Sequence, residues 1–371
     1  MTTTSPEISR QTTTSEAAAA PRSASRNTLE EALLPSLVAL LVAAIIGDVL
    51  ILIFGQSPAA VFRLLLEGTW GNSYGFGQVL YKATTLTFTG LSIAFALRAG
   101  LFNIGAESQL AAGGFVAATL GLLLPPGLPW IVTLPVFVAA AALGGGIVGG
   151  AAGQLKARFG AHEVITTIML NFIVLALLSY LTATYLKVPE TLHTEELKSG
   201  ALPRLSDYVG SFHGSAANIV LVLAVLACVL AWWYLFRTRR GFELRAVGLQ
   251  PEAAEHGGVR PGVVWTRAMT ISGAIAGLGG LNFVLGYKHY YEEGFAGGAG
   301  FLGIAVALVG GTHPLGVMIA ALLFATISQG GLAVNAMVPK QFVEVLQAVV
   351  IIAVAVSVPE VRRLLRIQRR G

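Results

Sequence analysis

The feature that most constrains this chain is the recurrence of apolar stretches close to twenty residues long, joined by short polar or glycine-containing connections. A stretch of about 20 apolar residues crosses a hydrocarbon layer of about 30 Å as a helix, since no water is present to satisfy an open backbone. About ten such stretches are legible: 33–54, 78–97, 101–124, 130–153, 164–186, 217–236, 264–285, 301–311, 314–330 and 343–358. The eighth, about 11 residues long, has the length of a half-helix. The expected fold is therefore all-α, a polytopic membrane protein of about ten transmembrane helices.

Composition sharpens that reading. Apolar residues make up 55% of the chain and charged residues 12%, against about a quarter charged in an ordinary soluble domain; a soluble enzyme is excluded. The lone Cys228 lies in an apolar stretch, which rules out an internal disulfide, a CxxC pair or a thiolate metal site. The formal charge of +5 does not point to nucleic acid, because the basic residues cluster beside apolar segments and act as topology signals. An N-terminus on the cytoplasmic side puts 17 of the 24 lysines and arginines inside, as the positive-inside bias requires. Both termini are then cytoplasmic. Trp232, Trp233 and Trp265 fall at inner ends of spans, and Trp130, Tyr180 and Tyr185 toward outer ends.

Residues 1–31, rich in Ser, Thr and Ala, read as a disordered cytoplasmic tail, 32–358 as the transmembrane domain, and 359–371 as a basic cytoplasmic tail. The first apolar stretch is long enough to span, which favours a retained helix over a cleaved signal. Ser57, Pro58 and Gly68 frame a short interfacial helix outside. Two charged outer loops, 188–216 and 286–300, read either as solvated connections or as a docking surface for an extracytoplasmic partner.

Several short motifs resemble catalytic ones but lack their context. Gly298-Ala-Gly300-Phe-Leu-Gly303 has neither a preceding strand nor a following acid. Gly71-Asn-Ser73-Tyr-Gly75 has no strand-turn-helix setting. His162-Glu163 is followed by Thr166 where a zincin carries its second histidine, and no GxxxxGK[ST] phosphate loop occurs. The chain is thus not expected to hydrolyse ATP or to hold a metal. Gly145, Gly146, Gly149, Gly150 and Gly153 recur at four-residue spacing, which allows close helix approach.

Polar side chains inside spans are costly and must face protein or a cavity. Asn103 and Glu107, one turn apart in the third stretch, and Glu163, Thr167 and Asn171 in the fifth, share helical faces. Two readings stand: interhelical hydrogen bonding, or lining of a polar substrate path by Asn103, Glu107, Thr167 and Asn171. Asp48, about two turns from the outer end of its span, is expected to be hydrogen-bonded in a structural role rather than to relay protons. In the cytoplasmic loop 237–263, Pro251 suits a first helical position and Gly257 a stop. A short helix over Pro251, Glu252, Ala253, Ala254, Glu255 and His256 would expose both alanines as a small knob for a cytoplasmic partner. Finally, the segment from Gly100 to Gly105 resembles that from Gly300 to Ala305, five spans apart, as an inverted five-plus-five repeat requires.

These residues together resemble the permease subunits of bacterial ABC importers of the simple-sugar and nucleoside type. The resemblance is carried by Ala99-Gly-Leu-Phe-Asn-Ile-Gly-Ala-Glu-Ser-Gln109, Glu163-Val-Ile-Thr-Thr-Ile-Met-Leu-Asn171, the loop from Arg245 through Ala253-Ala254 to Gly257, and Gly303 to Gly316. Ser108 stands where glycine is frequent, and His313 where a small or amide residue is usual. The resemblance implies a multi-pass protein of the bacterial cytoplasmic membrane with no cofactor of its own. It implies as partners a cytoplasmic ABC ATPase carrying ATP and Mg, a second permease subunit forming a heterodimer, and an extracytoplasmic lipoprotein that delivers a nucleoside. The loop residues Pro251, Glu252, Ala253, Ala254 and Gly257 would then couple to the ATPase. The competing readings are an ion-coupled secondary transporter of small polar solutes, which needs a midplane ion site, and an ABC permease for a simple sugar.

Overall fold

The computed structural model describes residues 41–42, 44–339, 341 and 343–353, and every regular element among them is helical. The expected tails 1–31 and 359–371 lie outside the described residues. In chain order the helices are α1 (Ala44–Ile53), α2 (Pro58–Thr69), α3 (Ser73–Arg98), α4 (Ala106–Leu123), α5 (Trp130–Phe159), α6 (Glu163–Leu181), α7 (Val220–Arg237), α8 (Arg239–Leu249), α9 (Pro251–His256), α10 (Pro261–Phe283), α11 (Ala299–Val309), α12 (Pro314–Ala333) and α13 (Val343–Ala353). π-helical turns extend α6 over Thr182–Leu186 and α10 over Val284–Lys288.

Each of the ten expected stretches carries a helix, but not every helix has the length and apolarity of a full span. Among the described residues 6 do, or 7 if α1 and α2, bent by 114° to each other, count as one. α11 has 11 residues, about 16 Å at 1.5 Å per residue, roughly half the hydrocarbon thickness. The helices that do span divide into an inner and an outer set. α3 and α10 are 78% and 72% buried within the bundle, whereas α6 is 17% buried. The outer set presents Ile165, Phe172, Leu177, Val222 and Leu230 outward, a surface that is stable against lipid and not against water.

The inner helices approach closely because α5 and α10 meet along glycine. A methyl group on Gly145 would overlap the Gly273 carbonyl oxygen, and one on Gly149 the Met269 carbonyl oxygen. The glycine spacing therefore serves packing, as membrane helices use it elsewhere.

Four local expectations are corrected. The third stretch does not begin as a helix at Leu101: residues 101–103 lack regular structure, 104–105 form a turn, and α4 starts at Ala106. Asn103 and Glu107 consequently do not share a helical face. Residues 239–249, expected as loop, form α8, whose N-terminus is capped by Thr238 Oγ1 accepting the Gly241 N–H at 3.0 Å. Gly68 does not end α2, which runs on to Thr69. Asp48 Oδ1 is buried with no hydrogen-bond partner among the described residues, so the expected hydrogen-bonded role is not found there.

Candidate functional site

The break before α4 is held by side chains from three other elements, and this explains why an apolar stretch departs from helix there. Asn103 Oδ1 accepts the Gly105 N–H at 3.1 Å, a local turn that replaces a helical bond. The same amide pairs with Gln109: Asn103 Nδ2 donates to Gln109 Oε1 at 2.8 Å and Gln109 Nε2 donates to Asn103 Oδ1 at 3.0 Å. Asn103 Nδ2 also donates to Ser272 Oγ of α10 at 2.8 Å, and Ser272 Oγ donates to the Ser92 carbonyl of α3 at 2.7 Å. Asn103, Ser92, Ser108 and Ser272 are all fully buried. A buried amide satisfied this completely fixes one arrangement of the chain.

The first turn of α4 has no cap from its own sequence. Asn171 supplies one from α6, its Oδ1 accepting the Ser108 N–H at 2.7 Å, and Thr167 Oγ1 receives the Ile104 N–H at 3.3 Å. Thr167 and Asn171 do share the inward face of α6, and both are buried. Glu163, one turn earlier, instead pairs with Lys156 Nζ at 2.7 Å. Glu107 in turn caps a different helix: its carboxylate accepts Gly298 N–H at 2.7 Å and Gly300 N–H at 2.6 Å, at the start of α11. Negative charge is favoured at a helix N-terminus. The two segments of the sequence echo thus lie against each other, with the α4 and α11 N-termini in contact; a methyl group on Gly300 would overlap the Glu107 backbone.

Beside the α11 N-terminus an open cleft of about 700 Å³ runs between α3, α11, α12 and α13. Tyr81, Lys82, Phe301, Ser328, Glu344 and Gln347 give it a mixed aromatic and polar lining. Lys82 Nζ donates weakly to Ser328, at 3.3 Å to its carbonyl and 3.4 Å to its hydroxyl. Asn282 of α10 buttresses this wall, donating to the Tyr81 carbonyl at 2.9 Å and Thr85 Oγ1 at 2.8 Å. None of Asn103, Glu107, Thr167 or Asn171 lines the cleft; Glu107 stands behind it, bonded to the Gly298 that does. Sequence reasoning missed this cleft, although a lysine within an apolar stretch was a usable signal.

At one end of the bundle, α8 packs against the end of α3 just before the break, and α9 packs on α8 and α10. A methyl group on Gly248 of α8 would overlap the Arg98 carbonyl oxygen at the end of α3. Phe236 is sandwiched nearby: the guanidinium carbons of Arg98 and Arg245 lie 5.6 Å and 5.2 Å from its ring centroid, and His313 stacks on it at 5.6 Å. Burial, reinforced by the Arg98 charge, holds the His313 imidazole below its ordinary pKa. The short helix falls on Pro251–His256 as the spacing indicates. Its two alanines differ, however: Ala253 is exposed, whereas Ala254 is 8% exposed and belongs to the main apolar core. A six-residue helix lying on the bundle must bury one of two adjacent residues.

At the opposite charged loops, the connection after α6 pairs with the one after α10. Thr194 N–H donates to the Tyr291 carbonyl at 2.9 Å, Leu197 N–H to the His289 carbonyl at 2.7 Å, and Leu202 N–H to the Leu285 carbonyl at 3.0 Å. His193 stacks on Tyr290 at 4.3 Å. The two loops form one cap rather than two free connections. No group of three or more His, Cys, Asp and Glu side chains placed to hold a metal occurs among the described residues.

Residues 75–355 match the family of branched-chain amino acid transport system permease components. This chain belongs to that permease family. The guanosine ABC transporter permease protein NupP of Bacillus subtilis is 36% identical over 333 residues, covering 88% of this permease and 93% of its own chain. The nucleoside ABC transporter permease protein NupB of Lactococcus lactis subsp. cremoris is 32% identical, with 89% and 92% covered. The glucose ABC transporter permease protein TsgB13 of Haloferax volcanii is 30% identical, with 85% of each chain covered. No solved structure matches. The chain is a permease subunit and not an enzyme, and it is a multi-pass membrane protein.

Proposed function

We propose that this permease carries nucleosides inward across a bacterial cytoplasmic membrane, as one subunit of an importer driven by ATP hydrolysis on separate subunits. The observation that carries the substrate class is the 36% identity, over nearly the whole of both chains, to a permease named for guanosine. The cleft along α3, α11, α12 and α13 suits that substrate. Tyr81 and Phe301 offer faces for stacking a base, and Lys82, Ser328, Glu344 and Gln347 offer partners for a base edge and ribose hydroxyls. Its open side takes the second permease subunit as its other wall.

In this reading Asn103, Glu107, Thr167 and Asn171 frame the path from behind, setting where α4 and α11 begin. Pro251, Glu252, Ala253, Ala254 and Gly257 form the coupling element, with Ala253 facing the ATPase, which holds ATP and Mg. Motion of α9 reaches the path through α8, Gly248 and the Arg98 end of α3 to the Asn103 break. An extracytoplasmic lipoprotein delivers the nucleoside to the cap made by the loops after α6 and α10. The chain crosses about ten times, with α4 and the half-length α11 at corresponding places of a five-plus-five repeat and both termini in the cytoplasm.

The test is uptake by the assembled importer in liposomes, with a panel of labelled guanosine, adenosine, uridine and glucose, with and without ATP. Nucleoside uptake that requires ATP is expected. Lys82→Met, which removes charge-assisted hydrogen bonds worth about 1.5–3 kcal/mol, should weaken the half-saturating nucleoside concentration about tenfold or more without loss of assembly. The 30% identity to a glucose permease favours a simple sugar as the second reading, and uptake of glucose alone would establish it.

A further inference from the structure

We propose that the groove between the C-terminal end of α5 and the first half of α10 binds one anionic phospholipid, with its headgroup between Arg158 and Arg260 and an acyl chain along α10. This goes beyond the transport reading and needs only that α5 and α10 cross a membrane. The groove is open along one side, has a volume of about 730 Å³ and changes character along its length. At the start of α10 it carries Arg158 and Arg260 with a single carboxylate, Glu255, and Arg267 follows two turns further along the helix. Arg267 lies 4.0 Å from Glu243, while the Arg158 and Arg260 side chains have no hydrogen bond or ion pair among the described residues.

Away from that end the walls are Gln154, Val263, Thr266, Arg267, Thr270 and Ile271. Thr266 Oγ1 donates to the Gly262 carbonyl at 3.0 Å and Thr270 Oγ1 to the Thr266 carbonyl at 2.8 Å, so neither hydroxyl requires a partner from the groove. From Arg260 to Ile271 the helix rises about 16 Å, close to the depth of one leaflet. Trp265, with Lys156 Nζ 5.1 Å from its ring centroid, marks the interface level at the basic end. Two unpaired cations at headgroup depth above a trough one leaflet long, apolar but for Gln154 and the Glu243-paired Arg267, complement a phospholipid. A soluble phosphate would leave the trough empty.

Native mass spectrometry of the assembled importer, released from detergent with phosphatidylglycerol or phosphatidylcholine of identical chains, reads the site directly. Preferential retention of one phosphatidylglycerol is expected. It should weaken about fivefold for each of Arg158→Gln and Arg260→Gln, from about 1 kcal/mol per cation near the surface, while Arg63→Gln, on α2, changes nothing. Thr270→Trp, which fills the trough but keeps the arginines, should abolish retention, so the test holds even if an arginine variant does not assemble. Equal retention of the two lipids, undiminished retention in the arginine variants or in Thr270→Trp, or displacement of the lipid by an equal concentration of glycerol phosphate would each overturn the assignment.

Discussion

The Asn171 side chain receives the backbone N–H of Ser108 at 2.7 Å, so that α6 caps the first turn of α4 across a helix interface. Neither helix would be formed as it is by its own sequence alone. α4 lacks a local cap, and an unpartnered asparagine on α6 would face a layer with no water. Glu107 repeats the device one helix further on, at the start of α11. Two helix N-termini are thus locked by polar groups from neighbours, and the open cleft lies beside the second.

Asn171→Leu removes the acceptor and leaves the Ser108 N–H buried and unpaired, a cost of about 1–3 kcal/mol. The thermal midpoint of the purified complex should fall. The half-saturating nucleoside concentration should be unchanged in the fraction that stays folded, because Asn171 does not line the cleft. Thr167→Val, losing the long 3.3 Å bond from the Ile104 N–H and an intrahelical bond to the Glu163 carbonyl whose acceptor keeps its helical role, should cost less. Thermal melts and liposome uptake at equal protein density check both. Intact stability with weakened uptake in Asn171→Leu would mean that the side chain touches substrate.

The two alanines of α9 separate coupling from folding. Arginine at Ala254 would drive a guanidinium into a packed apolar layer, where an unpaired charge costs several kcal/mol. Ala254→Arg should therefore reduce the monodisperse fraction in size-exclusion chromatography. Ala253→Arg, on the exposed side, should leave that fraction unchanged yet uncouple ATP hydrolysis from uptake. Ordinary uptake and ordinary ATPase retention in Ala253→Arg would remove α9 from the coupling path.

What could be read beforehand follows the range of the forces involved. Apolar length placed a helix in every expected stretch, and Pro251 with Gly257 bounded α9, because both signals are local. The break at Leu101 was not readable because much of what stabilises it is remote: Ser272 lies 169 residues from Asn103 and Asn171 lies 63 from Ser108, whereas Gly105 and Gln109 are local. The arginine-rich run after Thr238 hid α8, although the Thr238 cap was a local sign of it. Lys82 gains its meaning only from α12 and α13, remote in sequence, which form the other walls of its cleft. Ala253 and Ala254 are chemically identical, and only docking on the bundle distinguishes them.

His313 gives the permease a titratable group at the start of α12. Its Nδ1 accepts the Leu315 N–H at 3.3 Å, capping α12, and the ring stacks on Phe236 beside two arginines. Arg98 faces it most closely in charge, donating its Nε–H to the Thr312 carbonyl at 3.0 Å. Burial first, and the Arg98 charge second, keep the folded-state pKa below the ordinary histidine value. As pH falls through about 6.5, the unfolded chain takes up this proton before the folded one does, so stability declines with acidity. Protonation also removes the lone pair that caps α12. The contribution is therefore complete above about pH 6.5 and is lost as pH falls toward the lowered folded value. His313→Asn keeps a capping acceptor and removes the titration. Thermal midpoints at about pH 7.5 and about pH 5.5 should drop further in the natural permease than in His313→Asn; equal drops would show that the imidazole is not coupled to folding, since every other titrating group is common to both proteins.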